Sequence, residues 1–258
     1  MNGLRALFLC SAALAGSTFA GEIPPTERRS GAAFMAPETQ AMQADDSENP
    51  GMLWVLQGER LWSEPAGSSG KSCSSCHGEA SASMRGVAAR YPAFDAAAGK
   101  PIDLAGRIAL CRRDSQSAGE PARESDELLA LTAFVGHQSR GLPVAPPDDP
   151  RLASSRANGK RLFEARMGQL DLACASCHDD NWDKKLGGSA ITQAHPTAYP
   201  LYRLEWQSLG SLQRRMRNCM IGVRAEPFAY GSAEFVDLEA YLMSRAAGLR
   251  VETPGVRP

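Results

Sequence analysis

A five-residue motif, Cys-x-x-Cys-His, occurs twice in this chain, and the residues around the first copy recur around the second. Cys73-Ser74-Ser75-Cys76-His77 superimposes on Cys174-Ala175-Ser176-Cys177-His178 at an offset of 101 residues. The same offset lays Gly58-Glu59-Arg60-Leu61-Trp62 on Gly159-Lys160-Arg161-Leu162-Phe163. Farther on the offset is 108: Tyr91-Pro92 matches Tyr199-Pro200, Phe94 matches Tyr202, Leu104 matches Leu212, Arg107 matches Arg215 and Cys111 matches Cys219. A single insertion in the second copy accounts for the change. The period is far longer than that of a solenoid repeat. It divides 258 residues into two units of ordinary domain size.

Both units read as helical at their ends. Asn49-Pro50 offers a cap and a proline at the first helical position, ahead of Val55, Leu56 and Leu61. Ser125 is an N-cap with Asp126 and Glu127 in the first turn, before Leu128, Leu131, Phe134 and Val135 at helical spacing. In the second unit Ser232 precedes Phe235, Leu238, Tyr241 and Leu242, and Gly248 suits the end. The stretch from Gly141 holds Pro143, Pro146, Pro147 and Pro150, the composition of an extended linker. The expected division is a leader over 1–20, an arm over 21–48 acting as a strap or left mobile, a first domain over 49–140, a linker over 141–155 and a second domain over 156–258.

The leader carries Arg5, the apolar stretch Leu7 to Ala15 and small residues up to Ala20, the pattern of a secretory signal peptide. Cys10 lies inside it, with Leu9 where a lipoprotein cut needs another residue, so six of the seven Cys remain after cleavage. The expected location is the periplasm. Lys plus Arg number 28 against 29 Asp plus Glu, which leaves no basic excess for nucleic acid. No apolar run approaches the roughly 18 residues of a membrane span.

Cys-x-x-Cys-His is the attachment signature of c-type haem: two thiols on one helical turn add to the two vinyl groups, and the adjoining His sits beneath the iron. A lone match also fits a redox dithiol or half a zinc site. Two matches at equivalent positions behind a leader favour two covalently bound c-type haems, held by Cys73, Cys76 and His77 and by Cys174, Cys177 and His178. The expected fold is therefore all-α, two tandem cytochrome c-like haem domains related by internal duplication. Met84, Met216, Met220 and Met243 are available as sixth ligands, but Cys111 and Cys219 are what recur. A disulfide between domains and inert buried thiols are the alternatives; the repeat favours thiolate ligation of each iron, which lowers its potential. His137 reads as a solvated residue at a helix end. His195 is open to a haem-edge or substrate contact.

The chain resembles the dihaem cytochrome c A subunit of the bacterial sulfur-oxidising (Sox) system. The resemblance is strongest in His195-Pro196-Thr197-Ala198-Tyr199-Pro200-Leu201-Tyr202-Arg203 and from Ser211 through Cys219 to Arg224-Ala225-Glu226-Pro227-Phe228. It implies an L-cysteine S-thiosulfotransferase: a heterodimer with a small monohaem cytochrome c subunit that joins thiosulfate to a cysteine of a sulfur-carrier protein. It implies that Cys219 is the axial cysteine of the second haem, carried in the family as a persulfide, and that Arg215 is the arginine beside it. Arg215 would hold sulfonate oxygens by charge-assisted hydrogen bonds, with Arg224 a second candidate and Asn218 nearby; neutralising a haem propionate is the competing role. A plain dihaem electron carrier, in which Cys111 and Cys219 only tune potential, is the competing function. Two filled sixth positions argue against a peroxidase.

Overall fold

The computed structural model describes residues 23–258, so the leader and Cys10 lie outside the described residues. The elements run α1 (Pro37–Ala44), α2 (Met52–Ser63), α3 (Cys73–His77), α4 (Ala80–Ser83), β1 (Ala93–Asp95), β2 (Lys100–Ile102), α5 (Leu104–Ser115) and α6 (Asp126–His137). There follow α7 (Ala153–Glu164), α8 (Cys174–His178), β3 (Lys185–Leu186), β4 (Ser189–Ala190), β5 (Leu201–Arg203), β6 (Ser208–Gly210), α9 (Leu212–Gly222), α10 (Ala233–Arg245) and β7 (Gly255–Arg257). Among the described residues no helix is long and apolar enough to cross a membrane.

Two helix pairs form the framework, α2 on α6 and α7 on α10. Glycine sits at each crossing. A Cβ on Gly58 would lie 2.2 Å from the carbonyl oxygen of Ala130, and one on Gly159 would lie 1.9 Å from that of Asp237. The backbones therefore touch where any side chain would part them. Val55, Trp62, Leu129, Ala133 and Phe134 fill the first core, with Cys73 and Met84 at its edge. Phe163, Phe235, Leu238, Tyr241 and Leu242 fill the second, with Cys174 and Met216 at its edge. The caps are those read from the sequence: Ser125 Oγ accepts from Leu128 N (3.3 Å) and Ser232 Oγ from Phe235 N (3.4 Å).

Four features refine the reading above. The helix expected after Asn49-Pro50 runs from Met52 behind a turn over Pro50 and Gly51; Asn49 Oδ1 caps that turn by accepting from Gly51 N, and its Nδ2 donates to the Pro254 carbonyl, both at 2.9 Å. The fold is helical but not all-α: β1–β2 and β3–β4 are antiparallel hairpins, and β6–β5–β7 is a three-stranded sheet with β7 parallel to β5. Strands of two or three residues are too short to show alternation. The linker is pinned rather than extended free, since Val144 N donates to Leu249 O at 2.7 Å and Gly141 N to Val251 O at 2.8 Å, and α7 already begins at Ala153. The arm is an ordered strap on the second unit: Arg29 N donates to Gln193 Oε1 (2.7 Å) and Val256 N to Gln43 Oε1 (3.0 Å).

The two units meet at a buried polar cluster. Gln213 Nε2 donates to Asp103 Oδ2 and to Glu239 Oε1, both at 2.9 Å, while Arg123 pairs with Asp103. One guanidinium cannot neutralise two carboxylates. Burial and the neighbouring Asp103 charge push Glu239 up to about 8 from 4.5, so its carboxyl stays protonated in the folded chain at neutral pH. The folded state then holds a proton that the unfolded chain loses, and stability falls as pH rises from about 4.5 through about 8. Glu239→Gln is expected to flatten that slope in thermal melts between pH 5 and 8, the wild type losing on the order of a few kcal/mol across the window. Parallel slopes in the two proteins would remove Glu239 from the account.

Candidate functional site

The second motif is built on a single turn. Ser176 Oγ accepts from Ala173 N (3.1 Å), which closes the start of α8 and sets Cys174 and Cys177 three residues apart on one face. His178 follows. Its Nδ1 is 2.6 Å from the carbonyl oxygen of Thr192, an acceptor only, so Nδ1 carries a proton and donates, and Nε2 is left for another partner. The ring leans on Phe163, centroids 6.5 Å apart and planes at 31°.

Cys219, in the last turn of α9, faces that imidazole and shares a hydrogen bond with it. Burial alone would raise its thiol pKa. The His178 hydrogen bond and the charges of Arg215 and Arg203 outweigh burial and hold it below the ordinary value of 9.0. Arg215 lies one turn before Cys219 on the same helix, and the half-buried Tyr199 is close enough to feel the charge of both. Cys174, by contrast, is pushed up to about 12 by burial and by the Cys219 charge.

The first motif repeats the plan with different electrostatics. Ser72 and Ser75 cap α3 reciprocally, each side-chain oxygen accepting from the other's backbone N at 3.0 Å. His77 leans on Trp62, the counterpart of Phe163, at 5.7 Å and 33°. Cys111 acts electrostatically on Cys73. Burial pushes the Cys111 thiol up; Arg107 opposes this, but Asp114, Cys76 and Asp95 reinforce it. Arg107 itself is paired with Asp95 at 3.0 Å.

Each recurring cysteine thus lies with its own motif, and all six described cysteines are free, so the disulfide alternative is set aside. The donor set of the second motif fits a c-type haem: two thiols on one turn, an adjoining imidazole oriented by a backbone carbonyl, and a further sulfur facing it; the first motif repeats the two thiols and the imidazole, with Cys111 near its thiols. The methionines are packing residues. Met84 and Met216 line the cores, Met220 is buried in the second, and Met243 packs with Val144 and Val251.

The histidines outside the motifs differ from expectation. His137 ends α6 half-buried rather than solvated, and burial lowers its pKa. His195 is buried, its Nδ1 2.8 Å from the Arg29 carbonyl oxygen, and burial pushes it down to about 4; it is neutral and ties the strap in place. Arg224 is not among the charges acting most strongly on Cys219; it donates to Gln169 Oε1 at 3.5 Å beside a shallow cleft of about 460 Å³. Asn218 is exposed. Arg203 was not singled out from the sequence, yet it acts on Cys219. The signal was present at the offset of 108, where Arg203 stands against Asp95.

Known proteins place the chain. A family model described as SoxA/TsdA, cytochrome c domain, matches residues 57–144 and 158–251. A relative from Pseudaminobacter salicylatoxidans, named L-cysteine S-thiosulfotransferase subunit SoxA, is 40% identical over 91% of this chain and 82% of its own length. One of the same name from Rhodovulum sulfidophilum is 38% identical over 90% of this chain and 80% of its own length. The crystal structure of SoxXA from P. pantotrophus superimposes with a TM-score of 0.86 at 32% identity, covering 90% of this chain and 87% of that one. The chain belongs to the SoxA/TsdA cytochrome c domain family and is a c-type cytochrome, a protein that carries haem covalently.

Proposed function

We propose that this chain is the catalytic A subunit of an L-cysteine S-thiosulfotransferase of the periplasm, paired with a small monohaem cytochrome. The reaction joins thiosulfate to a carrier thiolate, giving a carrier S-thiosulfonate and releasing two electrons. The observation that carries this reading is Cys219 held against His178 of the second motif, with arginine charge at its flank. The relatives' names support it.

In this reading the two units are domains over 49–140 and 156–258, joined over 141–155 and derived by internal duplication. Cys73 and Cys76 would hold one haem, with His77 and Cys111 available to its iron. Cys174 and Cys177 would hold the other with His178 and Cys219. Haem at the second site would supply a one-electron acceptor beside the reacting sulfur. Arg215 binds the sulfonate end of thiosulfate and orients its sulfane sulfur toward Cys219. The Cys219 thiolate bonds to that sulfur as two electrons leave one at a time for the partner cytochrome, giving Cys219 Sγ–S–SO₃⁻. The carrier thiolate then attacks the sulfane sulfur, and Cys219 leaves as thiolate. Arg107, already neutralised by Asp95, has no such role in the first unit.

The test is a reconstitution with haem-loaded protein, partner cytochrome, carrier and thiosulfate, read by the mass of the carrier. A gain of one thiosulfonate group is expected; electron transfer with an unmodified carrier would leave the plain electron-carrier function standing. For haem number, Cys76→Ala and Cys177→Ala are each expected to halve the alkali-pyridine haem signal. Undiminished haem in either variant would strike that motif from the attachment sites.

A further inference from the structure

Arg203 ends β5, and at the offset of 108 its counterpart is Asp95, the last residue of β1. The two sites therefore differ by a charge reversal at one matched position. In the first unit Asp95 accepts from Ala97 N (2.9 Å) and holds Arg107 at 3.0 Å, so guanidinium and carboxylate cancel. In the second unit a guanidinium replaces the carboxylate, Arg203 and Arg215 repel one another, and both charges act on Cys219. The Arg203 side chain is only 11% exposed, and its Nε is buried without a hydrogen-bond partner. Its other end donates from Nη2 to Glu205 Oε2 at 2.7 Å, a carboxylate 65% exposed that neutralises it weakly. Two crowded cations with a donor left over want a multivalent anion between them.

We propose that Arg203 is a second anion-binding residue of this site, which with Arg215 grips the sulfonate oxygens of thiosulfate, and that Asp95 closes the first unit to anions. This rests on the function proposed above. The two arginines would fix the sulfonate from two sides, so that the sulfane sulfur has one direction left, toward Cys219. A competing use of Arg203 is to pair with a haem propionate, and the experiment separates the two.

Binding of radiolabelled thiosulfate to the oxidised, haem-loaded protein is measured by equilibrium dialysis, without carrier or electron acceptor, alongside the haem midpoint potential and thermal stability. Arg203→Gln is expected to weaken binding about tenfold to hundredfold, and Arg203→Lys to recover part of the loss. Glu205→Gln, at an exposed position, is expected to tighten binding about two- to threefold by freeing the guanidinium. Arg203→Gln binding as well as wild type would overturn the proposal, and a shifted potential with unchanged binding would assign the guanidinium to a propionate. If Arg203→Gln fails to fold, Glu205→Gln decides, since unchanged or weaker binding there is the opposite of the expected sign. Wild-type protein that binds no thiosulfate would instead overturn the function itself.

Discussion

Cys219→Ala is expected to abolish thiosulfate-dependent modification of the carrier while leaving haem covalently attached, because the attachment thiols proposed for that site are Cys174 and Cys177 and neither is touched. Removing a nucleophile costs several orders of magnitude in turnover. The loss should appear in the carrier's mass and not in the pyridine haem signal. Cys111→Met is the matched control: it should raise the potential of the first haem and leave turnover largely intact, since thioether donates less charge to iron than thiolate does. The contrast follows from the two environments. Cys219 has His178, Arg215 and Arg203 acting against burial, whereas the Arg107 charge near Cys111 is spent on Asp95. Near-normal carrier modification by Cys219→Ala would end the transferase mechanism at this residue.

Gly159→Ala is expected to destabilise the second unit by about 3 kcal/mol, lowering the melting temperature by about 6–12 °C. Helix propensity alone argues the other way, since alanine is favoured over glycine in a helix interior by about 1 kcal/mol. The overlap decides. A methyl group 1.9 Å from the Asp237 carbonyl oxygen, which belongs to backbone, can be relieved only by prising α7 from α10. Gly222→Ala provides the comparison, because a Cβ there meets nothing within 4 Å, and it should be neutral or slightly stabilising. Equal melting temperatures for the Gly159 variant and wild type would show that the crossing relaxes freely.

The same glycines explain what a reader of the sequence can and cannot see. Gly58 and Gly159 align the two copies, but nothing local says that each marks a helix crossing; that reason lies in the α6 and α10 backbones about 70 to 80 residues away. Ser125 and Ser232 are legible because a cap is a contact over three residues. Asn49 is legible only in part, since its Oδ1 closes a local turn on Gly51 N while its Nδ2 serves Pro254, 205 residues on. In the site, Cys111 and Cys219 are legible as recurring residues. Arg203 escapes a search for matches because it matters as a mismatch, arginine where the other copy has aspartate. His195 sits in the stretch that most resembles the family, yet its ring is spent on the Arg29 backbone.

The strap gives the imidazole a long tether. Thr192, whose carbonyl fixes the His178 tautomer, is followed at once by Gln193, which accepts from Arg29 N and donates to Glu27 O; two residues beyond, His195 meets the Arg29 carbonyl. Arg29 also lies over the rings of Phe34 and Trp182, at 4.7 and 4.8 Å. A peptide bond cut near Arg29 would sever no haem-binding segment and remove no ligand, yet it would slacken the loop that aims His178. In the proposed dihaem protein, damage of that kind would announce itself as altered spectra at the second haem and silence at the first, so the exposed turn over residues 24–27 is where a protease could retune the chemistry from a distance.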